Sequence, residues 1–190
     1  LALNTAFGIV SAIYLVLMLA YSFYLKNLVI IDVMVVATGF VLRVLAGTLA
    51  VQVTRFSPWL YVCSTLLALF IAINKRRHEL LLLAEDANNH RSSLGEYNLE
   101  FLDTMTSLVT ATLLASYSFY TFSAPNLPGN HSMMLTIPLV LYGIFRYLYL
   151  VHARGLGGAP EDIVLGDKPL IVTLALWALT VGIVLYGASL

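Results

Sequence analysis

Hydrophobic positions along this chain run in long blocks, without the alternation at every second residue that a membrane barrel shows. Residues 1–25, 56–74, 104–145 and 169–190 contain no Asp, Glu, Lys or Arg, and 28–50 is interrupted only by Asp32 and Arg43. About 20 mostly apolar residues cross a bilayer core of roughly 30 Å. The block 104–145 is long enough for two spans, and the turn-rich stretch from Ser123 to His131 divides it. The pattern therefore predicts six helices, near 3–22, 28–50, 57–74, 104–122, 133–151 and 168–188, in a single transmembrane domain over 1–190. The fold class is an all-α polytopic membrane bundle.

Composition strengthens this reading. Of 190 residues 60% are hydrophobic and 11% charged, and the mean hydropathy is +0.89. A soluble domain carries about 25% charged residues. Ten basic and ten acidic residues cancel, leaving no net field to recruit nucleic acid. Cys63 is the sole cysteine, which excludes a disulfide scaffold and leaves the histidines without a zinc partner set.

Charge placement gives a topology. With six alternating helices, Lys26, Lys75, Arg76, Arg77, Arg91, Arg154 and Lys168 share one side, and only Arg55 lies on the other. The positive-inside rule makes the first side cytoplasmic. All ten acids lie on or near that side as well, which suggests a polar chamber built from three loops; short, simply polar loops are the plainer alternative. This topology places the N-terminus outside. The start, Leu1-Ala2-Leu3-Asn4, has no signal-peptide features and reads as the interior of a longer protein.

Candidate chemistry sits in these loops. Lys26 is a point-charge phosphate ligand, with Asp32 nearby to hold a metal or orient a base; Tyr21 reads equally as a belt aromatic. Arg43 lies deep in the second helix, three turns from Asp32 on a similar face, so it needs a polar cavity or a partner. Ala46 and Gly47 beside it suit close helix approach. Lys75 and Glu79 are four apart, and bases beside acids at a helix end suit a phosphate held by cations and Mg²⁺; a solvated, salt-bridged helix is the plainer alternative. In the fifth loop Glu161, Asp162 and Asp167 are candidate metal or hydroxyl ligands, and Gly155 to Gly158 lacks the ending of a Walker loop.

Taken together these segments resemble the UbiA superfamily of intramembrane prenyltransferases, most closely its branch that acts on polyprenyl phosphate with a phosphoribosyl donor. The matching pieces are Tyr21-Ser22 with Lys26 and Asp32, Gly39 through Arg43 to Gly47, Lys75-Arg76 with Glu79-Leu80, Arg91 with Ser93-Leu94 and Tyr97, and Pro160-Glu161-Asp162 with Asp167. The resemblance implies a nine-helix fold of which this chain supplies helices four to nine. The superfamily's first Asp-rich, Mg²⁺-binding motif has no counterpart here, so the metal ligands are unassigned and the 190 residues are expected to be inactive alone. Lys75-Arg76-Arg77-His78-Glu79 stands where ordinary members carry a second Asp-x-x-x-Asp motif, which favours the phosphoribosyl branch.

The implied reaction is Mg²⁺-dependent transfer of 5-phosphoribosyl from 5-phosphoribosyl-1-diphosphate to polyprenyl (decaprenyl) phosphate at the cytoplasmic face of the plasma membrane. Lys75 and Glu79 are the expected catalytic pair. Tyr21, Lys26, Asp32, Arg43, Arg76, Arg91, Tyr97, Glu161 and Asp162 are the expected substrate-binding residues, with Asp32 supporting Lys26 or Arg43. Prenyl transfer to an aromatic or other acceptor, and a transporter or channel fragment lined by Arg43 and Arg146, are the alternatives. A homo-oligomer is left open.

Overall fold

The computed structural model describes residues 5–51, 57–83, 95–125, 127–156 and 160–187. They form six long helices: α1 Thr5–Phe23, α2 Ile31–Val51, α3 Pro58–Leu83, α4 Leu99–Ser123, α5 Ile137–Ala153 and α7 Lys168–Gly187. A seven-residue helix, α6 (Pro160–Gly166), lies between α5 and α7. Five segments, Thr5–Phe23, Ile31–Val51, Pro58–Leu82, Ser132–Ala153 and Lys168–Gly187, are long and apolar enough to span a membrane. The chain is a multi-pass membrane protein. The remaining long helix, α4, is the most hydroxylated, with five Thr and four Ser among its 25 residues.

Local chemistry sets the helix ends. Asn98 caps α4 by accepting the Phe101 N–H at 2.7 Å, which starts the helix five residues before the first charge-free position. Pro138 enters α5 in its first turn, after a 3-10 turn at Ser132–Thr136. Gly155, at φ +67°, lets the Leu156 N–H return to the Leu150 carbonyl and closes α5. Pro160 opens α6, and Glu161 and Asp162 lie in its first turn, where carboxylates complement the helix dipole. The fifth loop, which lies between two predicted helices, therefore contains a short helix of its own. The third helix continues nine residues past its expected end, carrying Lys75 to Glu79 on rigid backbone.

α3 is the central element, packed between α2 and α4, while α1 covers α2 and α5 packs on α7. One core joins Val33, Ala72, Ile73, Tyr97 and Leu102 across α2, α3 and the start of α4. A second joins Phe70 to Tyr147, Leu150, Val151, Ile163 and Leu170 of α5 to α7. Close approach of α1 and α2 occurs at Gly39, where a Cβ would stand 2.9 Å from the Met18 methyl. It does not occur at Gly47, whose Cβ position has no neighbour within 4 Å among the described residues.

Candidate active site at one end of the bundle

The ends of α1 and α3 and the starts of α2 and α4 meet at one end of the bundle, and five of the expected site residues meet there. Arg76 is the hub. Its Nε donates to Asp32 Oδ2 at 2.6 Å, its Nη1 to Glu79, and its Nη2 to the Tyr21 hydroxyl at 3.1 Å. Asp32 is fully buried and Arg76 is 5% exposed. The second oxygen of Asp32 accepts the Tyr97 hydroxyl at 2.8 Å, and that hydroxyl accepts the Ile30 N–H at 2.7 Å. Ile30 has φ +68°, a costly backbone for a β-branched residue. Tyr97 thus pins the strained turn that follows Lys26 to the first turn of α2.

Burial raises the Tyr97 hydroxyl well above the usual phenol range; donation to Asp32 acts in the same direction, against the Ile30 N–H. It stays protonated, as a donor to Asp32 must. The buried carboxylate and guanidinium face each other, with Tyr97, Glu79 and Tyr21 as further partners, which is the condition for placing ions in an apolar core.

The observed pairings differ from those expected. Asp32 does not support Arg43. Eleven residues of helix separate them by about 16 Å, and Arg43 instead donates from Nε and Nη2 to the Tyr14 hydroxyl at 3.1 and 2.5 Å. Its guanidinium also lies 5.1 and 5.3 Å from the Tyr14 and Phe40 ring centres. Glu79 pairs with Arg76, three residues before it, while Lys75 is exposed on the neighbouring face. Lys26 lies in the 3-10 turn Leu25–Asn27 at the same end. Arg91 lies outside the described residues. Glu161 and Asp162 are exposed on α6, which packs on α5 and α7 rather than beside Arg76.

Two further ion clusters border this end. Arg77 donates to Asp103 Oδ1 at 2.6 Å, and His152 Nε2 stands 3.1 Å from the same oxygen. Burial pushes the Asp103 carboxyl up, but the bonds from Arg77 and His152 outweigh it and hold the group below its usual range. Arg146 donates from Nε and Nη2 to the two oxygens of Asp167 at 3.2 and 2.8 Å. That bond, with help from the Leu170 N–H, holds the Asp167 carboxyl low. An arginine inside the fifth predicted helix was a weak signal, since Arg146 lies toward its cytoplasmic end; no local spacing signalled the Arg77–Asp103–His152 cluster.

No group of three His, Cys, Asp or Glu residues that could hold a metal ion exists among the described residues. Both Asp32 oxygens are already engaged and Glu79 is held by Arg76. These residues do not fit a Mg²⁺ site. Beneath the polar end, a cavity of about 500 Å³ separates α3 from α5 and α7. Its walls are apolar, among them Leu67, Phe70, Ile144, Leu174 and Val181.

With this geometry in view, the likeness to known proteins is direct. The chain is 28% identical over 97% of its length to decaprenyl-phosphate phosphoribosyltransferase of Mycolicibacterium smegmatis. It is 30% identical to the enzymes of that name from Mycobacterium tuberculosis and Corynebacterium glutamicum, over 92% and 96% of its length. The chain is a homologue of the decaprenyl-phosphate phosphoribosyltransferases. These relatives are transferases of the UbiA superfamily, which bears out the resemblance read from the loops. The chain spans 60%, 57% and 55% of the lengths of these three relatives. No family model matches it.

Proposed function

We propose that the protein transfers 5-phosphoribosyl from 5-phosphoribosyl-1-diphosphate to a polyprenyl phosphate at the cytoplasmic membrane face. The observation that carries the reading is the Arg76 hub, which fixes two carboxylates and two tyrosines beside Lys26 and Lys75. Relatives named for this transfer, aligned over nearly the whole chain, support it.

In the reaction a lipid phosphate oxygen attacks C1 of the ribose. The C1–O bond to diphosphate breaks, and its electron pair leaves with pyrophosphate. Negative charge grows on the leaving group while positive charge grows on the ribose, so fixed cations and carboxylates both lower the barrier. Lys26 and Lys75 stand against the diphosphate. Arg76 commits an N–H of each of its three nitrogens to protein partners, so it serves as a positioning residue that holds Asp32, Glu79 and Tyr21. Glu79, held by Arg76, serves the ribose hydroxyls and the cationic ring. Asp32 and Tyr97 lock the Lys26 turn. The apolar cavity of about 500 Å³ lies within the range of ligand pockets and takes part of the lipid tail. Magnesium is the ion the superfamily likeness implies; the residues described here do not form its site, and no step is assigned to it.

The test is lipid ribosylation by the purified full-length protein, with prenyl transfer to aromatic acceptors measured in parallel. Ribosylation should fall at least a hundredfold in both Lys75→Ala and Glu79→Gln. Prenyl transfer without ribosylation would overturn the reading, and full ribosylation by both variants would overturn the residue assignment.

A further inference from the structure

Arg43 is the charge that the hub does not absorb. It stands about 18 Å along α2 from Ile31 and about 12 Å from Val51, inside the apolar span on either count. Its guanidinium does not reach for a membrane surface. Nε and Nη2 donate to the Tyr14 hydroxyl at 3.1 and 2.5 Å, and Tyr14 is nine residues from each end of α1.

An arginine has five N–H groups. The Tyr14 oxygen takes two of them, and the other three have no partner among the described residues. The Tyr14 hydroxyl, which accepts both bonds, has no acceptor there for its own proton. The Tyr14 and Phe40 rings, at 5.1 and 5.3 Å, offset part of the charge. No described carboxylate pairs with it. Arg43 is exposed, and a cation at this depth is costly against hydrocarbon.

The face around Arg43 suits a close neighbour. Phe40, Gly47 and Ala50 share it at helical spacing and are exposed. A Cβ at Gly47 would meet nothing within 4 Å among the described residues, and small residues at such a place let another membrane helix approach.

Charge balance at this face requires an anion, and these 190 residues do not supply it. No Asp or Glu precedes Asp32, separates Asp32 from Glu79, lies between Asp103 and Glu161, or follows Asp167. Asp32 itself is committed to Arg76 and Tyr97. A second copy packed on the same face would carry its acids at the same end and set guanidinium against guanidinium. Each of the three relatives, however, has a further 40–45% of its length outside the part this chain spans, ample for additional spans.

We propose that a transmembrane helix of the full-length protein, outside these 190 residues, docks on the α1–α2 face and places an Asp or Glu carboxylate against Arg43 and Tyr14. The inference rests on the charge and depth of Arg43 and not on the transfer reaction.

The test uses the full-length protein in its membrane. Phe40→p-benzoylphenylalanine, irradiated and digested, should crosslink within one chain to an apolar segment outside the 190 residues that has an Asp or Glu near its centre. Crosslinks confined to lipid, to a second copy or to the 190 residues themselves overturn the proposal, as does a segment without an acid. Gly47→Leu gains helix propensity and has open space at its Cβ. On an uncovered face its unfolding midpoint therefore stays level or rises; against a docked helix it should fall. Arg43→Met should lower the midpoint by on the order of 10 °C, and neutralising the crosslinked acid as well should recover at least half of that loss. If Arg43→Met alone yields no folded protein, recovery of yield by the second substitution is the same readout. A level or raised midpoint in Gly47→Leu, or no recovery in the double variant, overturns the docked carboxylate.

Discussion

At the scale of single residues, the bundle end is a closed hydrogen-bond circuit, and Tyr97 is the member whose removal is most informative. Its hydroxyl accepts from strained Ile30 and donates to buried Asp32. Tyr97→Phe keeps the ring but orphans an N–H and a carboxylate oxygen, at a cost of about 1–3 kcal/mol. Thermal unfolding in detergent should show this loss. The raised hydroxyl fixes the sign of its pH dependence. The folded state holds the proton more tightly than the unfolded one, so the contribution is complete below the free phenol value of about 10 and is lost as pH rises above it. The Phe variant should lack that alkaline decline. Removing Asp32 is harsher: Asp32→Ala orphans the buried Arg76 Nε–H and the Tyr97 hydroxyl and leaves Glu79 as the one carboxylate on the guanidinium, at about 3–5 kcal/mol, and is expected to lower folded yield. Unchanged stability of Asp32→Ala would show that Glu79 alone compensates Arg76.

At the scale of elements, the helices were legible because a span must be long, apolar and nearly free of charge, a constraint visible in one dimension. Their pairings were not. Helical-face arithmetic aligned Asp32 with Arg43, but residues three turns apart on one helix share a face without touching. The actual partner, Arg76, is 44 residues away and becomes available only when α3 packs on α2. The same packing turns Arg76 inward, so Glu79 bonds at a spacing of three instead of four. α6 escaped notice because seven residues carry too little periodicity to stand out among glycines. The Arg146–Asp167 pair joins α5 to the start of α7, where Asp167 also accepts the Leu170 N–H. Its lowered carboxyl contributes stability that is complete above the free aspartate value of about 3.9 and is lost as pH falls through the lower folded value. Asp167→Asn should reduce stability near neutrality and flatten the acid limb of the unfolding profile. An acid limb identical to that of the unmodified protein would exclude this pair as a determinant.

At the scale of the molecule, the distribution of charge and the bundle geometry point to the same end. Asp32, Arg76, Glu79, Arg77, Asp103, Arg146 and Asp167, which carry the ion pairs just described, lie where α1, α3 and α5 end and α2, α4 and α7 begin. The opposite end uses neutral contacts, with Trp59 stacked on Phe119 at 5.5 Å and Tyr117 bonded to Thr136 at 2.6 Å. Loops rich in Lys and Arg stay cytoplasmic because translocating them is unfavourable, and the proposed transfer requires its phosphorylated sugar donor on that same side. These two arguments are independent, so topology is a strong test of the whole reading. Cys63, the one cysteine of these 190 residues, is half-buried within α3, and Cys63→Ser removes it from the background. Single cysteines placed at Lys75 and Arg154 should react with an impermeant maleimide only after the membrane is opened from the cytoplasmic side, whereas one at Asn130 should react in intact cells. The reverse pattern would put the Arg76 hub outside the cell, away from any cytoplasmic phosphoribosyl donor, and the proposed transfer would fall with it.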